Sequence, residues 1–108
     1  MNFDEIYDQL KAAGVVTNQS DLSTMLGMQP NYVSSRKAKN QQPSVIALMT
    51  LWFNLEDTQQ QFVQSLKGGE IPTAEQWNAS SAIHYLKFNI WEEIKSMLPT
   101  GMMDTNIM

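Results

Sequence analysis

Cysteine is absent from the 108-residue chain, which excludes a disulfide framework, a thiolate zinc site and a cysteine nucleophile. Histidine occurs once. His84 has no second imidazole with which to share a metal and lies in an apolar helical stretch, so it reads as an ordinary satisfied imidazole. Glycine-rich phosphate cradles are lacking too. The carboxylate neighbours Glu56–Asp57 and Glu92–Glu93 point about 100° apart on a helix and do not converge on a shared proton. The inventory therefore describes a protein that is not an enzyme and uses no metal and no cofactor. No apolar run approaches the ~20 residues of a membrane span. Asp4, Glu5 and Asp8 stand where a secretory signal would need a basic start, so no membrane partner and a cytoplasmic location are expected.

Hydrophobic residues make up 43% of the chain and charged ones 17%, which is the balance of a globular protein. The length suits one core with little surplus. The net charge of −4 hides an uneven distribution. Residues 22–55 contain no acid and carry Arg36, Lys37 and Lys39, a net +3, while the remainder holds four bases against all eleven acids, a net −7. One face of an acidic protein can thus be basic, and distribution matters more than the total.

Along the chain, Phe3, Ile6, Tyr7 and Leu10 recur at helical spacing, and Gly14 ends this first helix. Thr17 or Asn18 can cap a second helix with Leu22, Met25 and Leu26 on its apolar face, closed by Gly27. Pro30 fits the first turn of a third helix that runs to about Lys39 with Val33 inward. After a turn over residues 40–43, Ser44 caps a fourth helix. Its Val45, Ile46, Leu48, Met49, Leu51, Trp52, Phe53 and Leu55 leave few polar positions, which predicts a central place in the core. Asp57 is expected to open a fifth helix carrying Phe62, Val63 and Leu66, stopped by Gly68-Gly69. Thr73 with Gln76 is a capping-box pattern that starts a helical segment to Leu98, as one helix or two, with the short polar residues 78–81 as its weak point.

The segment QSDLSTMLGMQPNYVSSRKA, residues 19–38, resembles the helix-turn-helix of phage repressors of the lambda repressor and Cro type. Gln19 stands where that family often opens its second helix, Leu22 at the buried position and Ser23 at the small one. Gly27 takes the glycine position at the helix end, Met28 the apolar turn position and Val33 the buried slot of the recognition helix. Ser23 departs from the commonest alanine, and Arg36 from a usually apolar residue. The expected fold is all-α, a compact helix-turn-helix bundle of about five helices with a C-terminal helical extension. The divisions are a domain over 1–67, a joint over 68–72, an extension over 73–98 and a flexible tail over 99–108.

What the resemblance implies is a repressor-like regulator that binds double-stranded DNA, with the helix at about 30–38 in the major groove. Gln29, Asn31, Ser34 and Ser35 are then the base-edge candidates. Gln19, Tyr32, Arg36, Lys37 and Lys39 are the phosphate candidates. Three positive charges on a net-acidic chain give a monomer few phosphate contacts, so a homodimer is expected. Ile83, Leu86, Ile90, Ile94 and Met97 form one stripe of the C-terminal segment, and Tyr85, Phe88 and Trp91 add apolar surface elsewhere. All of these but Met97 are the candidate interface, whether for a second copy or for another protein partner. The competing expectation is a small acidic helical interaction factor of phage or plasmid type that binds another protein through its C-terminal half.

Overall fold

The computed structural model describes residues 1–66, 69 and 71–98. Among them run five α-helices and no strand: α1 (Phe3–Ala12), α2 (Gln19–Met25), α3 (Tyr32–Ala38), α4 (Val45–Ser65) and α5 (Ala74–Met97). The all-α expectation holds. No described helix is long and apolar enough to cross a membrane. Lys67, together with Gly68 and Glu70 of the expected joint and the whole of the expected tail 99–108, lies outside the described residues.

Side-chain oxygens that accept from free first-turn amides start four of the helices. Asn2 accepts from the Glu5 amide and opens α1, and Ser44 accepts from Ala47 and opens α4. Asn18, rather than Thr17, caps α2 by accepting from the Asp21 amide at 2.9 Å. Thr17 contributes differently: its amide and hydroxyl both donate to the Asp21 carboxylate, at 2.9 and 2.5 Å. The Thr73–Gln76 capping box is present in both directions at the start of α5.

One expected helix boundary does not occur, and one left open is absent. Asp57 opens no new helix, because α4 runs unbroken from Val45 to Ser65. Residues 55–58 contain no glycine or proline to interrupt the ladder. The two polar residues that favour caps are absorbed locally: the Thr58 hydroxyl donates back to the Asn54 carbonyl, and Asp57 accepts from Gln61 one turn on. The polar residues 78–81 likewise do not split α5. Ala79 and Ser80 are half-buried, and Gln59 of α4 donates to the Ser80 carbonyl at 3.3 Å. Packing overrides weak local propensity here.

One hydrophobic cluster joins all five helices. Phe3, Ile6 and Leu10 of α1 meet Leu22 and Leu26 from α2 and its C-cap, Val33 of α3, and Ala47, Leu48, Leu51 and Leu55 of α4. Ile83, Leu86, Ile90 and Ile94 of α5 complete it, so the segment after the joint has no separate core. It lies chiefly along α4 and also touches α1. The apolar excess of α4 is only partly core: Ile46, Met49 and Phe53 face outward, contrary to the central position expected for the whole helix. A helix surrounded on one side can bury one stripe of a little over 100°, and residues 47, 48, 51 and 55 fill it.

Candidate functional site

The α2–turn–α3 unit is built around a buried hydroxyl. Ser23 is the one buried polar residue in the described chain and is completely shielded from solvent. Its hydroxyl donates to the Gln19 carbonyl one turn back and accepts from the Val33 amide of α3, each at 3.1 Å. The N-cap residue Asn31 makes no side-chain capping bond, so Ser23 supplies from α2 the cap that α3 lacks. This accounts for the departure from alanine. Residues 29–32 form a turn in which the Tyr32 amide donates to the Gln29 carbonyl, and α3 begins at Tyr32 rather than at Pro30. Pro30 thus serves the turn, whose second position favours its fixed φ.

Gly27 is required twice over. Its φ of +75° lies in the left-handed region, and a Cβ there would stand 2.8 Å from Thr50 Cγ2 of α4. The close approach of the α2 terminus to α4 lets the Asn54 side-chain amide donate to the Met25 carbonyl at 2.7 Å. The helix end and the turn are therefore fixed on the long central helix.

On this frame Gln29, Asn31, Ser34 and Ser35 are all exposed along the turn and outer face of α3. The Ser34 hydroxyl donates to the Asn31 carbonyl at 3.2 Å. The four base-edge candidates thus share one solvent-facing region.

The phosphate candidates divide. Arg36 is not a free surface cation: its Nε donates to the Gln42 carbonyl at 3.1 Å, its Nη2 donates to the same oxygen, and its guanidinium lies 5.4 Å from the Tyr32 ring centre. Tyr32 is also structural, with its hydroxyl 3.4 Å from both the amide and the hydroxyl of Ser44 and its ring edge-on to Phe3 at 5.9 Å. Both side chains hold the turn after α3 against the start of α4. Arg36 replaces an apolar contact with a forked one to a backbone oxygen, which the basic residue type concealed. Lys37 pairs with Asp4 of α1 at 2.6 Å. Lys39 is exposed and, among the described residues, pairs with no carboxylate. Gln19 is half-buried at the first position of α2, and its carbonyl serves Ser23. The α2 N-terminus already holds the Asp21 carboxyl, which the hydroxyl and amide of Thr17 keep below the usual carboxylate range.

The interface candidates also divide. Ile83, Leu86, Ile90 and Ile94 are buried against the chain's own α1 and α4 and are corrected to core residues, since their stripe is the one that fits the bundle. Tyr85, Phe88 and Trp91 remain exposed. They are joined by Trp52 of α4, half-buried and packed against the core, and by Phe53, which faces outward although the density of apolar residues in that helix assigns it to the core. The ring centres of Trp52 and Trp91 lie 6.0 Å apart, and Phe53 stands edge-on to Trp52 at 5.2 Å. The signal for them is arithmetic: nine apolar residues within 45–55, Ala47 included, exceed what one buried stripe accommodates. Lys87 Nζ lies 4.7 Å over the Trp52 ring, donates to Gln59 at 3.0 Å and pairs with Glu56. That pairing holds the Glu56 carboxyl below its ordinary range. A cleft of about 510 Å³ lies among Trp52, Phe53, His84, Lys87, Phe88 and Trp91.

Among the described residues no three His, Cys, Asp or Glu side chains converge as a metal site would require. The described residues thus present two exposed surfaces, a polar one on the turn before α3 and on α3 itself, and an aromatic one on α4 and α5. The chain belongs to the DUF6626 family, described as a family of unknown function, whose pattern covers residues 3–96. No curated protein and no solved structure matches it.

Proposed function

We propose that the protein is a sequence-specific regulator of repressor type that binds double-stranded DNA with α3 in the major groove. The observation that carries this reading is the exposed polar group of Gln29 and Asn31 on the turn and Ser34 and Ser35 on α3, a helix fixed by the bond between the Ser23 hydroxyl and the Val33 amide. Amide side chains of this kind can pair with the N6/N7 edge of adenine. The acid-free run 22–55 keeps carboxylates out of the same stretch of chain. Lys39 and Lys37 are the phosphate anchors in this reading, the latter by exchanging Asp4 for a phosphate oxygen. Such a regulator works in the cytoplasm.

A second reading, a helical factor that engages another protein through its C-terminal half, is favoured by the exposed Phe53, Tyr85 and Phe88. The two readings separate in a fluorescence-anisotropy titration with random-sequence duplex DNA at two salt concentrations. Wild type is compared with Lys37→Ala/Lys39→Ala, which leaves the Arg36 clamp intact. Two phosphate contacts per chain give a salt slope of about −2, because each neutralised phosphate contributes ~0.9. Binding that weakens with salt and falls further in the double variant is the expected result. No binding at low salt refutes the DNA reading and leaves the protein-interaction one.

A further inference from the structure

The aromatic face of α5 is symmetric about Phe88. Moving outward from that residue, Tyr85 and Trp91 lie three positions away on either side, His84 and Glu92 four, and Ser81 and Lys95 seven. All of these spacings fall on one side of a helix, and all seven residues are exposed. We infer that this face is the interface between two copies of the chain, with α5 packed antiparallel on α5 of the second copy and Phe88 at the two-fold axis.

Three observations select a second copy. An antiparallel pair places each residue at 88+k opposite 88−k, so Tyr85 faces Trp91 and the imidazole of His84 faces the carboxylate of Glu92. A parallel pair would instead set Glu92 on Glu92 and Lys95 on Lys95, so the charges choose the antiparallel direction. Such a contact is isologous and closes at two. Area points the same way. Tyr85, Phe88, Phe53 and Trp91 are 70%, 60%, 62% and 40% exposed. At 150–250 Å² per aromatic side chain they offer roughly 450 Å² per chain, or about 900 Å² in a pair. The flanking His84, Glu92 and Lys95 carry the total past the ~1,000 Å² that a specific interface needs. Finally, the face is braced before any partner arrives. Trp91 leans on Trp52, and Lys87 is fixed by Glu56 and Gln59, so little side-chain freedom remains to be lost on association.

The inference stands on this surface and not on the DNA reading, although two copies would double the phosphate anchors and ask for an inverted-repeat site. Its test uses the absence of cysteine from the chain. Helices packed 8–10 Å apart bring facing Cα atoms at the axis to about 5 Å, within disulfide range. Positions 81 in the two copies lie about 21 Å apart along the helix. Sedimentation equilibrium of the wild type without DNA is expected to show a dimer at tens of micromolar. Phe88→Cys is expected to give a covalent dimer on mild oxidation, and Ser81→Cys to remain uncrosslinked. Phe88→Asp, at an exposed position, is expected to sediment as a monomer with an unchanged far-ultraviolet circular dichroism spectrum. A wild type that stays monomeric overturns the inference and leaves the face to another protein. Higher oligomers, equal crosslinking at 81 and 88, or a persistent dimer in Phe88→Asp also overturn it. Because no DNA is present, each of these outcomes is read separately from the anisotropy titration.

Discussion

Replacing Ser23 by alanine isolates the bond on which the position of α3 depends. The substitution removes one oxygen at a site with no solvent exposure and leaves the Val33 amide, itself buried, without its 3.1 Å acceptor. A buried donor left unpaired is worth about 1–3 kcal/mol, and loss of an N-terminal cap about 0.5–2 kcal/mol. These describe the same bond and do not add. Alanine recovers up to ~0.5 kcal/mol through its better helix propensity at the fifth residue of α2. The net expectation is a loss of about 1–2 kcal/mol. For a domain of this size that lowers the melting temperature by roughly 5–15 °C, at about 4–8 °C per kcal/mol. Thermal and urea unfolding measure the loss, and hydrogen exchange locates it: the Val33 amide should exchange faster in the variant than neighbouring core amides do. A variant as stable as wild type, with Val33 equally protected, would refute the claim that this hydroxyl caps α3.

Gly27→Ala should lose more than the ~1 kcal/mol typical of alanine in the left-handed region, because its Cβ also meets Thr50 Cγ2. Adding Thr50→Ser, which removes that methyl, should return only the clash component in denaturant unfolding, and no recovery would contradict the close approach. Asp4→Asn frees Lys37 from an exposed ion pair, so stability should change by less than ~1 kcal/mol while DNA affinity in the anisotropy assay rises. A fall in affinity would mean that Lys37 is not a phosphate anchor. Asp21 and Glu56 both have carboxyl groups held below their ordinary range in the folded chain, Asp21 by Thr17 and Glu56 by Lys87. Depressed folded-state values mean stability that is complete above the ordinary carboxylate range and lost as the pH falls through it toward the folded values. Asp21→Asn with Glu56→Gln should therefore flatten the acid limb of a stability–pH profile, and an unchanged limb would exclude these two groups as its source.

The parts of the fold that are legible in the sequence are those with local causes. Asn18 and Ser44 as caps, the Thr73–Gln76 box and the left-handed Gly27 all act within a turn or two of their own position. What was not legible depends on which partner the folded chain selects among those within reach. Asp57 looks like a helix start until Gln61 and the continuous Leu51–Leu55 core stripe are seen to carry α4 through it. Arg36 looks like a phosphate ligand until the Gln42 carbonyl is seen to fold back beneath it. The stripe Ile83, Leu86, Ile90, Ile94 has the same periodicity whether it meets another chain or α4, and only the bundle decides.

The turn contacts of Arg36 change what the DNA reading demands. With that side chain committed to the turn, the cations near α3 are Lys39, free of ion pairs among the described residues, and Lys37, held by a carboxylate that is 66% exposed. An ion pair this open is weak, and a phosphate brings a full negative charge in place of the Asp4 carboxylate, so exchange is nearly neutral. Asp4 would then remain near the DNA as a repelling charge. Affinity that depends on so few contacts is low for one chain and steeply dependent on pairing two, since linked contacts multiply rather than add. Under the DNA reading, mutations on the aromatic face of α5, far from α3, should therefore reduce DNA affinity as strongly as loss of Lys37 and Lys39. If Phe88→Asp abolishes the dimer and leaves DNA affinity untouched, pairing is not what makes α3 bind, and the polar face must act alone.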